Sequence, residues 1–288
     1  MLENTIRTDL ALEQAEIFLT DKGRKNGVEV EEYLAADERI KVSKVTILTK
    51  NAAKKMGKPM GDYITIEAQD MTDSDDGYHN EVSECMANEL EKLMPEGRHL
   101  SSVLVIGLGN RAVTADSLGP KVVDHLYITR HLLRAYGKDA FGGKTVREIS
   151  SLEPGVMAKT GMETLEIVRG VIGDVKPDVL LVVDALAARS VKRLNRTIQM
   201  TNTGISPGSG VGNHRHALTK ESLGIPVIAI GIPTVVDAAT IARDAMNAAY
   251  EFSELNNMYL TGKDIDSVIG RVSFTVSEGL NKVLAKEV

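Results

Sequence analysis

The sequence predicts an α/β fold, a three-layer α/β/α domain with a mostly parallel central sheet. From residue 101 onward, short β-branched runs alternate with amphipathic helical segments. These runs are nearly continuous in apolar residues, which is typical of strands covered by helices on both faces. A chain of 288 residues without a Pro-, Gly- or Ser-rich linker is expected to form one large domain.

The N-terminal hundred residues predict a strand and helix elaboration on that domain. Residues 40–48 and 63–66 alternate apolar and polar side chains and predict strands, while residues 51–60 predict a short helix and turn. The acidic run at residues 70–77 predicts a solvated loop. After it, Val82, Cys85 and Leu93 fall on one helical face, so Cys85 is predicted to be buried packing rather than a nucleophile.

The central region predicts four buried strands and three main helices. The strands are residues 103–106, 146–149, 179–183 and 227–230. One helix is predicted over residues 120–133, and a second follows a capping box formed by Thr160 and Glu163. Thr234 is predicted to open a third helix that continues to residue 249. This order of elements favours helices packed on both faces of a parallel sheet.

Composition excludes several functional classes. One cysteine permits neither an intrachain disulfide nor a zinc site of several thiolates, and it suits a reducing cytoplasm. A net charge of −6, no tryptophan and four phenylalanines disfavour direct nucleic-acid binding. The apolar runs are far shorter than the roughly 20 residues of a membrane span, and the charged N-terminus is unlike a signal peptide. We therefore expect a cytoplasmic protein with no membrane partner.

Three loops are expected to face one crevice. They are residues 107–120, 182–190 and the glycine-rich residues 204–216, each next to a predicted buried strand. In open α/β sheets, ligands bind beyond the C-terminal ends of the parallel strands. The functional site is therefore predicted at that edge of the sheet.

Two aspartates are the main candidates for chemistry at this edge. Asp116 lies on an irregular loop ahead of a helix predicted to be capped by Gly119 with Pro120 at its first position. Asp184 ends the apolar run at residues 179–183. Two carboxyl groups near one water can divide the roles of general base and general acid, which predicts hydrolysis. The alternatives are a turn-forming Asp116 and a buried structural Asp184.

Other residues in these loops permit weaker interpretations. Gly107, Gly109 and Ala112 match a GxGxxA dinucleotide fingerprint, but Pro120 indicates a helix that starts too late for it. His214 and His216 stand two apart and could hold a metal, or contact an anion or a peptide backbone. The serines of these loops do not complete a GxSxG nucleophile motif.

Six segments occur in order along the chain: IRTDLALE, KPMGDYITIEAQDM, IGLGNRAVTADSLGP, VVDALAARS, NTGISPGSGVGNHR and GIPTVVDAATI. Together they resemble the spore germination protease family, endopeptidases that degrade small acid-soluble spore proteins. The resemblance implies a fold related to the hydrogenase maturation endopeptidases. It also implies that Asp116 and Asp184 are catalytic and that Asn110, Ser209 and His214 belong to the active-site loops.

The resemblance further implies a self-processing zymogen. Family members trim their own N-terminus at a sequence like the one they cut in substrates, and TDLALE at residues 8–13 fits that pattern. The implied cut lies between Asp9 and Leu10. It would divide a pro-segment, residues 1–9, from a peptidase domain, residues 10–288. That domain comprises an elaboration (10–100), a catalytic core (101–250) and a helical region (251–288).

Small acid-soluble spore proteins are the implied partners, the spore core is the implied location, and a homotetramer is the implied assembly. No particular cofactor is implied, but a divalent metal at His214 stays an alternative. The related hydrogenase enzymes bind a metal with a carboxylate and a histidine, and His214 is the nearest candidate by position for that histidine. Two alternatives remain. One is a metal-recognising, hydrogenase-maturation-type endopeptidase with metal at Asp184 and His214, and the other is a catalytically silent oligomeric binding protein.

Overall fold

The computed structural model describes residues 8–20, 27–73, 75–95, 100–208, 215–246, 255 and 258–286. Its strands are β1 (Val28–Ala35), β2 (Ile40–Ile47), β3 (Gly61–Ala68), β4 (Ser102–Gly107), β5 (Glu148–Leu152), β6 (Val179–Ala188), β7 (Thr197–Thr201), β8 (Val227–Asp237) and β9 (Tyr259–Leu260). Its helices are α1 (Ala11–Thr20), α2 (Lys50–Met56), α3 (Asp76–Leu93), α4 (Leu118–Asp124), α5 (Arg130–Tyr136), α6 (Met157–Thr160), α7 (Thr164–Val175), α8 (Lys220–Leu223), α9 (Ala238–Met246) and α10 (Ile265–Leu284).

All these strands join one sheet in the order β1-β2-β3-β7-β8-β6-β4-β5, with β9 paired to β8. Strands β5, β4, β6 and β8 run parallel and form what we call the parallel half. Strands β1, β2, β3 and β7 are antiparallel and form the antiparallel half, which joins the other through an antiparallel β7–β8 pair. The predicted N-terminal elaboration thus extends the central sheet.

Helices cover both faces of the parallel half, which confirms the α/β fold class. Along β4 and β6, alternate side chains point to opposite faces. Val105 and Leu181 pack in the cluster that includes α3, α4 and α10. Leu104 and Leu180 pack on the other face, in the cluster that includes α7. Helices α1 and α2 pack together over the antiparallel half.

Two strands of the parallel half extend further than predicted. Strand β6 continues past Asp184 to Ala188, so Asp184 lies within the strand rather than at its end. Strand β8 continues to Asp237, so the prediction that Thr234 opens a helix is wrong. Helix α9 begins after Asp237, whose Oδ2 accepts a hydrogen bond of 2.9 Å from the Thr240 N–H. Asp237 therefore caps the start of α9, whereas the sequence predicted a helix that starts at Thr234.

The helix predicted over residues 120–133 is two helices, α4 and α5. Between them, the Tyr127 N–H donates to Asn281 Oδ1 at 3.0 Å and the Thr129 N–H donates to the Ile149 carbonyl at 3.2 Å. These long-range hydrogen bonds replace helical ones and break the run. Helix α4 also begins earlier than predicted, with Ser117 rather than Gly119 as its N-cap residue.

Two smaller predictions of helix and strand ends are also wrong. The N-terminus of α7 is capped by Glu163 and Glu166, with the Glu163 N–H donating to Glu166 Oε2 at 2.8 Å, whereas Thr160 ends α6. Strand β5 begins at Glu148 because Arg147 turns toward α10, where its Nη1 donates to the Val283 carbonyl at 2.6 Å.

Two glycines let α4 pack directly on the end of β4. A Cβ atom on Gly119 would lie 2.3 Å from the Leu108 carbonyl oxygen, and one on Gly107 would lie 2.3 Å from the Gly119 carbonyl oxygen. Because α4 starts at Leu118 and not at Gly109, the GxGxxA segment forms a loop rather than a dinucleotide-binding turn.

Helix α3 carries the predicted buried face. Cys85 is 8% exposed and packs in the main core, as predicted, and burial raises the pKa of its thiol to about 11. The predicted acidic loop ends earlier than residue 77, since Asp75 caps α3 by accepting hydrogen bonds from the Gly77 and Tyr78 N–H groups. Among the described residues, no helix is both long and apolar enough to cross a membrane.

Candidate active site

Asp184 occupies the centre of the sheet. It stands in β6 opposite Gly231 of β8, and only 6% of its surface is exposed. Its Oδ1 accepts a hydrogen bond of 2.9 Å from the N–H of the next residue, Ala185. Pairing with β8 therefore holds this carboxyl group in a buried position.

Asp116 ends a 3-10 turn that runs into α4. Its carbonyl oxygen accepts a hydrogen bond of 2.9 Å from the Asn110 N–H. This closure requires glycine at position 109, where φ is +120° and a Cβ atom would lie 2.0 Å from the same oxygen. The Asn110 side chain accepts from the Ala112 N–H at 3.1 Å. Asn110 therefore shapes the loop that carries Asp116.

The three predicted loops do line one cavity. Its volume is about 240 Å³, and Asp116, Asp184 and Arg215 come from the first, second and third loop. A neighbouring cavity of about 160 Å³ contains Lys58 and Gln199. Both cavities share four lining residues: Asp9, Asp184, Leu186 and Gly208. The two cavities therefore adjoin at Asp184.

The two candidate carboxyl groups hold protons unequally. Burial raises the pKa of Asp184 well above its usual range, and the nearby charges of Asp116 and then Asp9 raise it further. Burial also raises the pKa of Asp116, while the Asn110 N–H and the charge of Arg215 lower it. Asp184, the more deeply buried group, thus keeps its proton to the higher pH.

The N-terminal segment, residues 8–13, reaches the junction of the two cavities at Asp9, which lines both. The Asp9 N–H donates to the Ala187 carbonyl at 2.9 Å, and the Ala187 N–H donates to Asp9 Oδ2 at 2.9 Å. Leu10 is fully buried in a small apolar cluster with Leu186 and Val236. The end of β6 therefore binds this segment through its backbone and through an apolar pocket.

Glu13 anchors the other end of the segment. It is 3% exposed, and its carboxylate accepts hydrogen bonds from the Arg189 N–H at 2.8 Å and the Ser190 N–H at 3.0 Å. Arg193 Nη1 lies 3.4 Å from the same carboxylate, and Thr8 Oγ1 donates to it. Such charge-assisted hydrogen bonds are about twice as strong as neutral ones.

The peptide unit between Asp9 and Leu10 has its own polar partners. Lys58 Nζ donates to the Asp9 carbonyl oxygen at 2.8 Å, and Gln199 Nε2 donates to the same oxygen at 3.1 Å. Gln199 Oε1 accepts from the Ala11 N–H at 2.6 Å. The Leu10 N–H donates to Thr8 Oγ1 at 3.1 Å.

The other polar residues of the three loops differ in outcome. Ser209 and His214 fall outside the described residues. His216 is exposed, and its Nδ1 lies 3.9 Å from Glu163. Ser190 caps a short 3-10 turn and Ser206 lines the smaller cavity. Within the described part of the chain, no cluster of three His, Cys, Asp or Glu side chains could hold a metal ion.

Sequence reasoning missed three polar residues of the two cavities: Lys58, Gln199 and Arg215. Lys58 opens one of the six family-like segments and Arg215 closes another, so the resemblance pointed to their neighbourhood. Gln199 lies in an antiparallel strand outside those segments and had no signal in the sequence.

An α/β sheet with two carboxyl groups of raised pKa at one cavity is typical of a hydrolase. The germination protease family model matches residues 7–253. The germination protease of Caldanaerobacter subterraneus subsp. tengcongensis is 43% identical over 97% of this chain and 94% of its own. That of Clostridium perfringens strain SM101 is 43% identical over 97% of this chain and 95% of its own.

The germination protease of Bacillus velezensis is 47% identical over 84% of this chain and 66% of its own length. Among solved structures, the [NiFe] hydrogenase maturation protease HycI from Thermococcus kodakarensis KOD1 matches 68% of this chain and 98% of its own, with 16% identity and a TM-score of 0.36. The family model and the relatives at 43% identity show that the chain belongs to the germination protease family. It is a peptidase, a class of hydrolase, and its family acts in spore germination.

Proposed function

We propose that this peptidase starts the degradation of small acid-soluble spore proteins in the cytoplasm of the germinating spore, the spore core. It cuts after the acidic residue of sites like T-[DE]-x-A-x-E. One observation carries this proposal: the chain's own TDLALE segment is bound at the end of β6, and its Asp9 lines both cavities that Asp184 lines. Family membership supports the germination role.

The two carboxyl groups divide the acid and base roles. Asp116, the less buried of the two, is the ionised base that removes a proton from water as its oxygen bonds to the Asp9 carbonyl carbon. Asp184 has the pKa raised further by burial and donates its proton to the Leu10 nitrogen as the C–N bond breaks. The products are a carboxyl group on Asp9 and an amino group on Leu10.

The contacts of the bound segment explain why this sequence pattern is cut. The residue after the cut enters an apolar pocket that buries Leu10 completely. Ala11 is also fully buried, so a larger side chain would collide there. Glu13 requires the backbone N–H groups that follow β6. A substrate with the same pattern can form these contacts in place of residues 8–13.

Self-processing is the first turnover of the same site. While residues 8–13 are bound, they occupy the groove that a substrate needs. Cleavage between Asp9 and Leu10 separates the pro-segment, residues 1–9, and frees the part of the groove that binds Asp9. Asp9 is itself one of the charges that raise the pKa of Asp184. Mild acidification favours protonated Asp184, removes its repulsion from Asp9 and promotes cleavage.

Two finer features belong to this proposal. The peptidase assembles as a homotetramer. In its catalytic step the aspartates activate water, and none of the described residues acts as a metal ligand. Native mass spectrometry of the full chain before and after processing measures the assembly. Activity after dialysis against a chelator, compared with activity after adding Ni²⁺ or Zn²⁺, measures any metal requirement at the loop that contains His214.

The deciding experiment incubates the full-length chain at neutral and mildly acidic pH and identifies the new N-terminus by mass spectrometry. We expect a chain that begins at Leu10 and appears faster at acidic pH. The processed chain is then mixed with a small acid-soluble spore protein, and cuts are expected after the acidic residue of its TDLALE-like site. No cleavage of either protein would favour a silent binding protein, and a requirement for a hydrogenase precursor would favour a maturation peptidase.

A further inference from the structure

We propose that Lys58 and Gln199 form the oxyanion hole of this peptidase: they donate hydrogen bonds to the carbonyl oxygen of the bond that is cut. This inference rests on the proposed cleavage between Asp9 and Leu10. The Asp9 carbonyl oxygen accepts from Lys58 Nζ at 2.8 Å and from Gln199 Nε2 at 3.1 Å. Both distances lie in the range of oxyanion-hole donors.

Both donors stand on rigid parts of the antiparallel half. Gln199 is buried in the middle of β7, paired with Thr65 of β3 on one side and Gly231 of β8 on the other. Lys58 follows α2 directly. Gly57, with φ of +62°, ends this helix through a hydrogen bond to the Ala53 carbonyl, and the Lys58 N–H donates to the same oxygen at 3.2 Å. Such donors need little reorganisation during reaction.

Gln199 holds the peptide on both sides of the bond. Its Nε2 donates to the Asp9 carbonyl while its Oε1 accepts from the Ala11 N–H at 2.6 Å. The side-chain amide therefore has one fixed orientation. Asp9, both donors and Asp184 line the same cavity.

The chemistry of the step needs such donors. When water bonds to the Asp9 carbonyl carbon, the C=O π electrons move to the oxygen, which becomes an anion. Asp116 accepts a proton and Asp184 donates one. Once ionised, however, neither carboxylate can stabilise a nearby negative charge, because like charges repel. Burial lowers the pKa of Lys58, and the charge of the Asp9 carboxylate offsets part of this shift and favours the charged lysine. A cation in this low-dielectric place stabilises the developing anion strongly.

The experiment compares self-cleavage rates of full-length variants after transfer to mildly acidic pH. We expect Lys58→Met to slow the appearance of the chain beginning at Leu10 by about 10²–10³-fold. Lys58→Arg should restore part of the rate, because a cation returns with altered geometry. Gln199→Met should also slow cleavage. The matched control is Lys55→Met, an exposed lysine of α2, which should keep the wild-type rate.

A docking role must be separated from a catalytic one. Hydrogen exchange is therefore measured at the Asp9 and Ala11 amides in the uncleaved Asp184→Asn background, with and without Lys58→Met. Unchanged protection together with slow cleavage supports the oxyanion hole. Faster exchange would show that Lys58 only binds the segment and would overturn the inference.

The outcomes also separate this inference from the proposed function. If Asp184→Asn is inactive while Lys58→Met cleaves at the wild-type rate, the oxyanion hole is wrong and the aspartate mechanism stands. If wild-type protein never cuts between Asp9 and Leu10, the proposed cleavage site and the oxyanion hole both fail.

Discussion

The two halves of the sheet contribute differently to the site. The parallel half provides Asp116 and Asp184, the two groups that can give and take protons. The antiparallel half provides Lys58 and Gln199, which hold the peptide unit between Asp9 and Leu10. The site lies where the halves meet, between β6, β8 and β7. In the proposed mechanism both halves bind the segment, since the end of β6 contacts Asp9 and Glu13, but the proton-transferring groups come only from the parallel half and the donors to the carbonyl oxygen only from the antiparallel half.

The strongest test of this comparison removes the acid from the parallel half. Asp184→Asn keeps the side-chain volume and the strand pairing but cannot donate the proton that the leaving nitrogen needs. We expect self-cleavage and substrate cleavage to fall by about 10²–10⁴-fold. The rate of appearance of the Leu10 N-terminus measures the effect. Asp174→Asn, on the exposed surface of α7, is the control and should be fully active.

How far the sequence predicts the site differs between the halves for a physical reason. Parallel strands are buried on both faces and end at one edge, so apolar runs locate that edge and point to Asp116 and Asp184. For antiparallel strands no comparable rule tells which residues of a strand lie at a functional site. Gln199 is one of three polar residues in the uniformly buried β7, and its role depends on Asp9, which precedes it by 190 residues.

Element ends were missed where distant contacts decide them. The break between α4 and α5 depends on Asn281, and the length of β6 depends on its pairing with β8. Strand β1 was missed because most of its residues are exposed and three of its eight are glutamates, a pattern that resembles a loop. The buried strands and the α3 core face, in contrast, follow from local apolar periodicity.

The second prediction concerns the binding of the N-terminal segment at the end of β6. Glu13→Gln removes the charge that the Arg189 and Ser190 N–H groups bind. We expect self-cleavage to slow by roughly tenfold, since about 1.4 kcal/mol of binding corresponds to that factor. Glu16→Gln is the control because it removes the same charge from an exposed glutamate of α1, whose carboxylate accepts a hydrogen bond from Arg193 Nη2. Equal rates for the two variants would remove Glu13 from the recognition pattern.

The third prediction uses protonation to compare stability across pH. The pKa of Asp184 is higher in the folded state than in the unfolded state. Wild-type protein therefore loses stability as the pH rises from the unfolded pKa to the folded pKa of this group. Asp184→Asn does not titrate there. We therefore expect the variant to gain stability relative to wild type between mildly acidic and neutral pH, in urea unfolding of uncleaved chains. A relative loss on raising the pH would mean that Asp184 is ionised and stabilised in the fold.

The smallest expected effect concerns the support beneath the antiparallel half. Helix α3 packs against β3 and β7, and its Cys85 is buried with a pKa raised to about 11 by burial. A buried, protonated thiol reacts slowly with thiol reagents. If processing changes only the bound segment, native labelling of Cys85 should be equally slow before and after cleavage, with full labelling in urea as the control. Faster labelling after cleavage would mean that release of the segment loosens the sheet that holds Gln199, and the rigid placement of that donor would no longer hold.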